Sequence, residues 1–390
     1  MDSTTLTKNT AQETDPDFPL FSQLQSYEHE QIAICSNPEI GLKSIIAIHD
    51  TTLGPALGGV RMWPYETEQE ALKDVLRLSR GMTYKAAISG LNLGGGKAVI
   101  IGDPHTDKNE FLFRAFGRYV DSLGGRYITA EDVGIDVQDM EWVHTETKYV
   151  TGIPKALGGS GDPSPVTAYG VYMGMKACAK KAYGSDSLRG KRVAIQGAGH
   201  VSSHLAEHLS KEDVELYISD IYEEKADNLA EKVGGEVVDP DEIYGLDVDI
   251  FSPCALGGVV NDDTIDTFKC DIIAGGANNV LDEEDEHGRM LMKKGLIYAP
   301  DYVINAGGLI NVASELEGYN ETRAHDKASR IYDTILDILN YSDDNNTPSH
   351  IASNILAEER IKKVGKIHNI YTSKSQFSGH IGEMYMRDRG

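Results

Sequence analysis

Cysteine is scarce in this chain, and basic residues are outnumbered. Four cysteines, Cys35, Cys178, Cys254 and Cys270, are spread over 390 residues with no C-x-x-C pair. That spacing supports neither a zinc site nor a disulfide framework, and it suits free thiols in a reducing cytoplasm. Lys plus Arg number 37 against 61 Asp plus Glu, a formal net charge of -24. Such an acid excess argues against nucleic acid or an anionic membrane as partner. The excess is spread along the chain, with one dense run at residues 282–286 that a solvated surface explains. No stretch approaches the ~18–20 apolar residues needed to span a bilayer. The N-terminus, MDSTTLTKNTAQETDPDFP, lacks the basic start and apolar centre of a signal peptide. Residues 1–16 read as a loose tail.

A length of 390 residues suggests two domains. Residues 30–37 and 42–50 read as strands, 53–64 as a glycine-rich loop carrying Arg61, and 67–81 as a helix with apolar residues at three-to-four spacing. A strand at 97–102, a helix at 108–123, a strand at 126–134 and a helix at 137–147 follow. Strand–helix alternation implies a mostly parallel or mixed sheet with helices on its faces. A Gly- and Pro-rich stretch from Gly152 to Pro165 marks the boundary. Beyond a helix at 166–183 come short strands at 191–197, 214–220, 247–252, 270–274 and 296–304, with helices at 200–210 and 223–233. Helices at 308–316, 325–343 and 351–372 close the chain. The expected fold is α/β in two domains, the second a doubly wound, Rossmann-type dinucleotide domain.

The stretch from Gly81 to Pro104, GMTYKAAISGLNLGGGKAVIIGDP, holds Lys85 and Lys97, the latter directly after three glycines. A lysine at the edge of an apolar core is desolvated, which favours the neutral amine and suits a base. The same pattern also describes a glycine loop with a solvated lysine. Asp132 ends the strand at 126–134, where α/β sites commonly lie, and could share acid–base work with a lysine or cap the next turn. Arg61 could bind an anion or pair with a surface acid.

In the second half, Gly197-x-Gly199-x-x-Ser202 sits between a strand and a helix. The first glycine suits a tight turn, the second admits a pyrophosphate, and the helix N-terminus faces its charge. Gly197, Gly199, His200 and Val201 are therefore candidate cofactor contacts. Asp220 ends the next strand, where a carboxylate accepts from both ribose hydroxyls and repels a 2′-phosphate. That favours NAD over NADP; the bland alternative is a glycine turn and a surface aspartate. His200, His204 and His208 share one helix face, and with no further ligand nearby they read as a solvated or interface face rather than a metal site.

Longer segments resemble one family. LGPALGGVRMW (53–63), RGMTYKAAISGLNLGGGKAVIIGDP (80–104), GRYITAEDVG (125–134), GDPSPVTAYGVYMGMKA (161–177), SPCALGG (252–258), AGGANN (274–279) and APDYVINAGGLINVASELEGYN (299–320) resemble, in order, amino-acid dehydrogenases of the leucine, valine and phenylalanine type. The resemblance implies a substrate and assembly domain at 1–152 completed by 337–390, an NAD-binding domain at 153–336, and a homo-oligomer, octameric or dimer-based. It implies Lys97 as general base, Asp132 as its proton-transfer partner and Lys85 as the grip on the substrate α-carboxylate. Gly59 would lie against the substrate, Thr167 would contact the nicotinamide carboxamide, and Asn278 and Asn305 would line the cleft near nicotinamide and substrate. Glutamate-specific relatives carry lysine where Leu57 stands and serine where Val312 stands. Leu57, Ala130, Leu309 and Val312 would then form an uncharged pocket that disfavours a γ-carboxylate. The implied reaction is NAD-dependent oxidative deamination of a branched-chain L-amino acid in the cytoplasm, with leucine, valine and isoleucine as candidates. The rivals are an aromatic amino-acid dehydrogenase on the same fold and a catalytically silent NAD-binding regulator.

Overall fold

The computed structural model describes residues 20–367; the expected tail at 1–16 and the end of the last expected helix lie outside them. Two sheets organise the chain. The first half contains α1 (Leu20–Ser26), β1 (Gln31–Asn37), β2 (Leu42–Asp50), β3 (Ala56–Trp63), α2 (Glu68–Ile88), β4 (Gly94–Ile101), α3 (Glu110–Ser122), β5 (Tyr127–Glu131) and α4 (Val137–His144). Its strands pair in the order β1-β2-β4-β3-β5. β1 and β2 run antiparallel, as do β2 and β4, whereas β3 is parallel to both β4 and β5. One face buries Phe113, Phe116, Tyr127 and Met140, and the other packs Ala71, Val75 and Leu76 of α2. Each large apolar side chain so buried contributes about 1.5–3 kcal/mol.

The glycine-rich segment expected to be a loop is strand β3, an interior strand between β4 and β5. A Cβ on Gly58 would lie 1.7 Å from the Gly96 carbonyl oxygen, so glycine serves close backbone approach rather than a turn. The helix expected at 67–81 runs on to Ile88, capped by the Thr67 side chain on the Glu70 N–H, which brings Lys85 into its last turn. The three glycines expected to precede a strand belong to β4 itself.

The second half contains α5 (Ser164–Tyr183), β6 (Arg192–Gln196), α6 (His200–Ser210), β7 (Glu215–Ser219), α7 (Glu223–Val233), β8 (Glu236–Val237), β9 (Ile250–Pro253), β10 (Ile272–Ile273), α8 (Glu284–Lys294), β11 (Ile297–Tyr298), α9 (Asp301–Ile304), α10 (Gly307–Glu315), α11 (Glu321–Ser329), α12 (Ile331–Asn345) and α13 (Ser349–Ile367). Its strands lie in the order β11-β10-β9-β6-β7-β8, all pairs parallel. The order reverses between β6 and β9, the crevice where such sheets take ligands. The strand expected at 296–304 is a two-residue strand followed by helix α9, because Pro300 interrupts it. The helix expected at 325–343 is two, α11 and α12. Helix α13 returns to the first half: the Arg360 guanidinium donates to the Leu91 carbonyl at 2.7 Å and the Asn92 side chain at 3.0 Å.

Candidate active site

The site begins with β4, an interior strand whose neighbours are β2 and β3. Lys97 is 6% exposed there, and its Nζ lies 2.8 Å from Asp132 Oδ2, just beyond β5. Arg61, on the intervening β3, donates from Nε to the same oxygen at 3.1 Å and from Nη1 to Asp74 at 2.9 Å. Burial works to raise the Asp132 carboxyl, but Lys97 and Arg61 outweigh it and hold the group below its ordinary value. Of the two roles the sequence left open for Arg61, pairing with an acid is the one seen, with Asp132 of the site and Asp74 as the partners.

The glycines before Lys97 leave no room for a substrate. A Cβ on Gly95 would lie 2.1 Å from the Thr83 backbone nitrogen, and one on Gly96 would lie 2.7 Å from the Tyr127 ring. Gly95 lets α2 settle onto the strand, and Gly96 makes room for the Tyr127 ring. Gly59 is similarly filled, its missing Cβ 2.9 Å from Asp132 Cβ.

Lys85 reaches across to the second half. Its Nζ donates to Asn305 Oδ1 at 2.6 Å, and Asn305 Nδ2 donates to Asn278 Oδ1 at 2.7 Å. Burial lowers the Lys85 amine to about 8; Asp301 and Asp132 oppose this, and Lys97 adds to it. Leu57, Leu309 and Val312 share one apolar cluster formed by both halves. Ala130 is buried beside Gly59 on the neighbouring strand but stands outside that cluster. Glu131, the other acid at the end of that strand, was given no role from the sequence; burial pushes its carboxyl up to about 7, with Asp162, Asp136 and Glu315 adding to the effect. Nothing local in the sequence announces it, since the groups that surround it arrive from other elements.

At the crevice of the second sheet, Gly197 has φ +101 and approaches Ala255 so closely that a Cβ would lie 2.9 Å from that residue's own Cβ. Gly199 caps α6, and a Cβ there would meet nothing within 4 Å. Val201 faces Gly276 from the first turn. Asp220 ends β7 and accepts the Ala198 N–H at 2.7 Å and the Tyr222 N–H at 2.9 Å. His200 is 84% exposed at the side chain, 3.8 Å from Asp162. His204 faces Glu207, and His208 stacks on Tyr172. No group of three metal-ligating side chains occurs among the described residues. Thr167, in α5, donates to the Pro163 carbonyl at 2.9 Å, and α10 presses on it through Gly308. The fold implies a dinucleotide cofactor, and the residues present fit one. Open space over Gly199 and the N-terminus of an 11-residue helix suit a pyrophosphate, and a strand-end carboxylate can accept hydrogen bonds from ribose hydroxyls.

A doubly wound parallel sheet joined to a unit with a buried lysine–aspartate pair defines a dinucleotide-dependent dehydrogenase of two units. Comparison with known proteins specifies the family. Residues 29–149 match the model described as Glu/Leu/Phe/Val dehydrogenase, dimerisation domain, and residues 158–222 and 217–367 match the model of the Glutamate/Leucine/Phenylalanine/Valine dehydrogenases. The chain belongs to this family and is an amino-acid dehydrogenase. It is 57% identical to the leucine dehydrogenase of Thermoactinomyces intermedius over 90% of this chain and 96% of that one. It is 49% identical to the phenylalanine dehydrogenase of Bacillus thermotolerans over 92% of this chain and 95% of that one. The crystal structure of L-tryptophan dehydrogenase from Nostoc punctiforme superposes with a TM-score of 0.80 at 48% identity, covering 89% of this chain and 99% of that one.

Proposed function

We propose that the protein catalyses the reversible NAD-dependent oxidative deamination of a branched-chain L-amino acid, leucine foremost, to its 2-oxo acid and ammonia. The observation that carries this reading is the Lys97–Asp132 pair at 2.8 Å, with Lys85 beside it and uncharged walls around it. NAD bound at the second sheet supplies the hydride acceptor. Gly197, Gly199, His200 and Val201 would hold its phosphates, Asp220 a ribose, and Thr167 and Asn278 its nicotinamide end.

The Lys85 ammonium anchors the α-carboxylate, and Asn305 orients that ammonium. Gly59 would border the bound substrate through its backbone, its Cβ side being taken up by Glu131 and Asp132. Leu57, Ala130, Leu309 and Val312 receive the side chain; an unpaired γ-carboxylate among them would lose its hydration without compensation. After hydride leaves Cα, Lys97 takes a proton from the water that adds to the imine carbon. Asp132 relays that proton and delivers one to the departing nitrogen, and Arg61 keeps the carboxylate aimed. Closure of the two units would expel bulk water from this cleft.

The same reading divides the chain into a substrate and assembly unit at 1–152, completed by 337–390, and an NAD unit at 153–336. A homo-oligomer goes with it, dimer-based or octameric; edge strand β1 carries Ile34, 73% exposed, in support. The four free thiols agree with a cytoplasmic setting. No helix among the described residues is long and apolar enough to cross a membrane.

Initial rates of NADH formation on L-leucine, L-valine, L-isoleucine, L-phenylalanine and L-glutamate test the proposal. Branched-chain substrates should lead, with NAD⁺ strongly preferred to NADP⁺. A lead for phenylalanine or glutamate would overturn the substrate assignment, and equal rates with NADP⁺ would overturn the role of Asp220.

A further inference from the structure

The connection between the two sheets is gripped by one side chain. Glu315, at the end of α10, is 4% exposed. Its carboxylate accepts the Gly152 N–H at 3.1 Å on each oxygen, the Ser160 N–H at 2.8 Å and the Ser160 hydroxyl at 2.5 Å. The donors come from both ends of the segment 152–160, so the carboxylate staples that segment to α10. The segment itself has little slack. Gly152 has φ +74, and a Cβ on Gly159 would lie 1.8 Å from the Ile153 carbonyl oxygen. Burial pushes the Glu315 carboxyl up, while the Ser160 and Gly152 donors counter it. A buried carboxylate is costly unless several donors converge on it, and here the linker supplies them.

The proposed chemistry makes no use of Glu315. Yet the helix it terminates is the one that carries Leu309 and Val312, both in the same apolar cluster as Leu57 from the other half. We propose that Glu315 is a positioning residue: by fastening the segment 152–160 to α10, it fixes where Leu309 and Val312 stand opposite Leu57 and thereby sets side-chain preference. The inference rests on the reading of those three residues as pocket walls.

Glu315→Gln is close to isosteric but turns an acceptor into an amide donor facing other donors. Purified Glu315→Gln should lose roughly tenfold in kcat/KM for L-leucine, the scale of a small misplacement in a cleft. Its leucine-to-valine ratio of kcat/KM should move toward one by about threefold or more. Its Kd for NAD, read by fluorescence, should stay within about twofold of wild type because the phosphate turn lies elsewhere. A lowered Tm with an unchanged ratio would mean a merely structural role and overturn the proposal. Should Glu315→Gln fail to fold, Ser160→Ala removes only the hydroxyl and should shift the ratio in the same direction; an unchanged ratio there overturns it equally. A wild-type enzyme inactive on both amino acids fails the proposed function instead, and that is read before any variant is made.

Discussion

Lys97 and Lys85 differ in what faces them. Lys97 is paired with Asp132 at 2.8 Å, whereas Lys85 touches a neutral amide at 2.6 Å. Lys97→Ala should therefore cut turnover by about 10²–10⁴-fold, the range for loss of a general base. NAD affinity should persist, because Lys97 and the glycine turn belong to different sheets. Wild-type turnover in that variant would remove Lys97 from the chemistry. Lys85 carries a pH signature. Its amine stands lowered to about 8, so it is an ammonium below that value and neutral above it. The KM for the amino acid should rise as pH climbs through about 8, while the KM for NAD stays level. A flat KM profile between pH 7 and 9 would exclude Lys85 as the carboxylate anchor.

At the scale of elements, the contact between α2 and β4 builds the site. Ala71, Val75, Leu76, Ser79, Thr83, Ala86 and Ala87 form the buried face of α2, and Gly95 of β4 lets that face approach. Gly95→Ala would force a Cβ to within 2.1 Å of the Thr83 nitrogen, which is backbone and cannot rotate away. We expect a loss of about 3 kcal/mol in denaturant unfolding, the upper end for overpacking. A loss under about 0.5 kcal/mol, the size of an ordinary surface change, would show that the helix can shift. This contact was hidden in the sequence because the glycines and Thr83 are neighbours only after folding. Strand β3 was hidden for a related reason: Gly58 and Gly59 lower strand propensity locally, and only backbone crowding, against Gly96 for the first and Glu131 for the second, makes glycine the right residue there. By contrast, β6, α6 and β7 were legible at once, since a short apolar run, a glycine turn and a strand-end acid are all local signals.

The whole molecule carries an acid-sensitive seam beneath the site. His49 on β2 contacts Thr83 at 2.8 Å, and His29 contacts Ser79 at 2.7 Å, with the two rings edge to face. Burial first, then the charge of neighbours, lowers both to about 4 from an ordinary 6.5. Between those values the unfolded chain binds protons that the folded one refuses, so stability falls as pH drops from about 6.5 to about 4. Tm should decline over that window and recover partly in His29→Asn or His49→Asn relative to neutral pH. An acid limb identical in both variants and wild type would place the sensitivity elsewhere.

The sequence alone determined the two-unit α/β plan, the glycine turn at Gly197 and Gly199 between a strand and a helix, the acid that follows β7 and the two lysines that flank the glycines of β4. Each is written in residues close together along the chain. That Arg61 joins the Asp132 carboxylate and that Lys85 reaches the Asn305 amide was decided only by folding. Arg61 and Asp132 lie 71 positions apart, and Lys85 and Asn305 lie 220 apart. Electrostatic pairing acts over a few ångströms of space, whatever the separation in sequence. The same holds for Glu315, which reads as one more polar residue at a helix end until the turn of the chain brings Gly152 and Ser160 onto it.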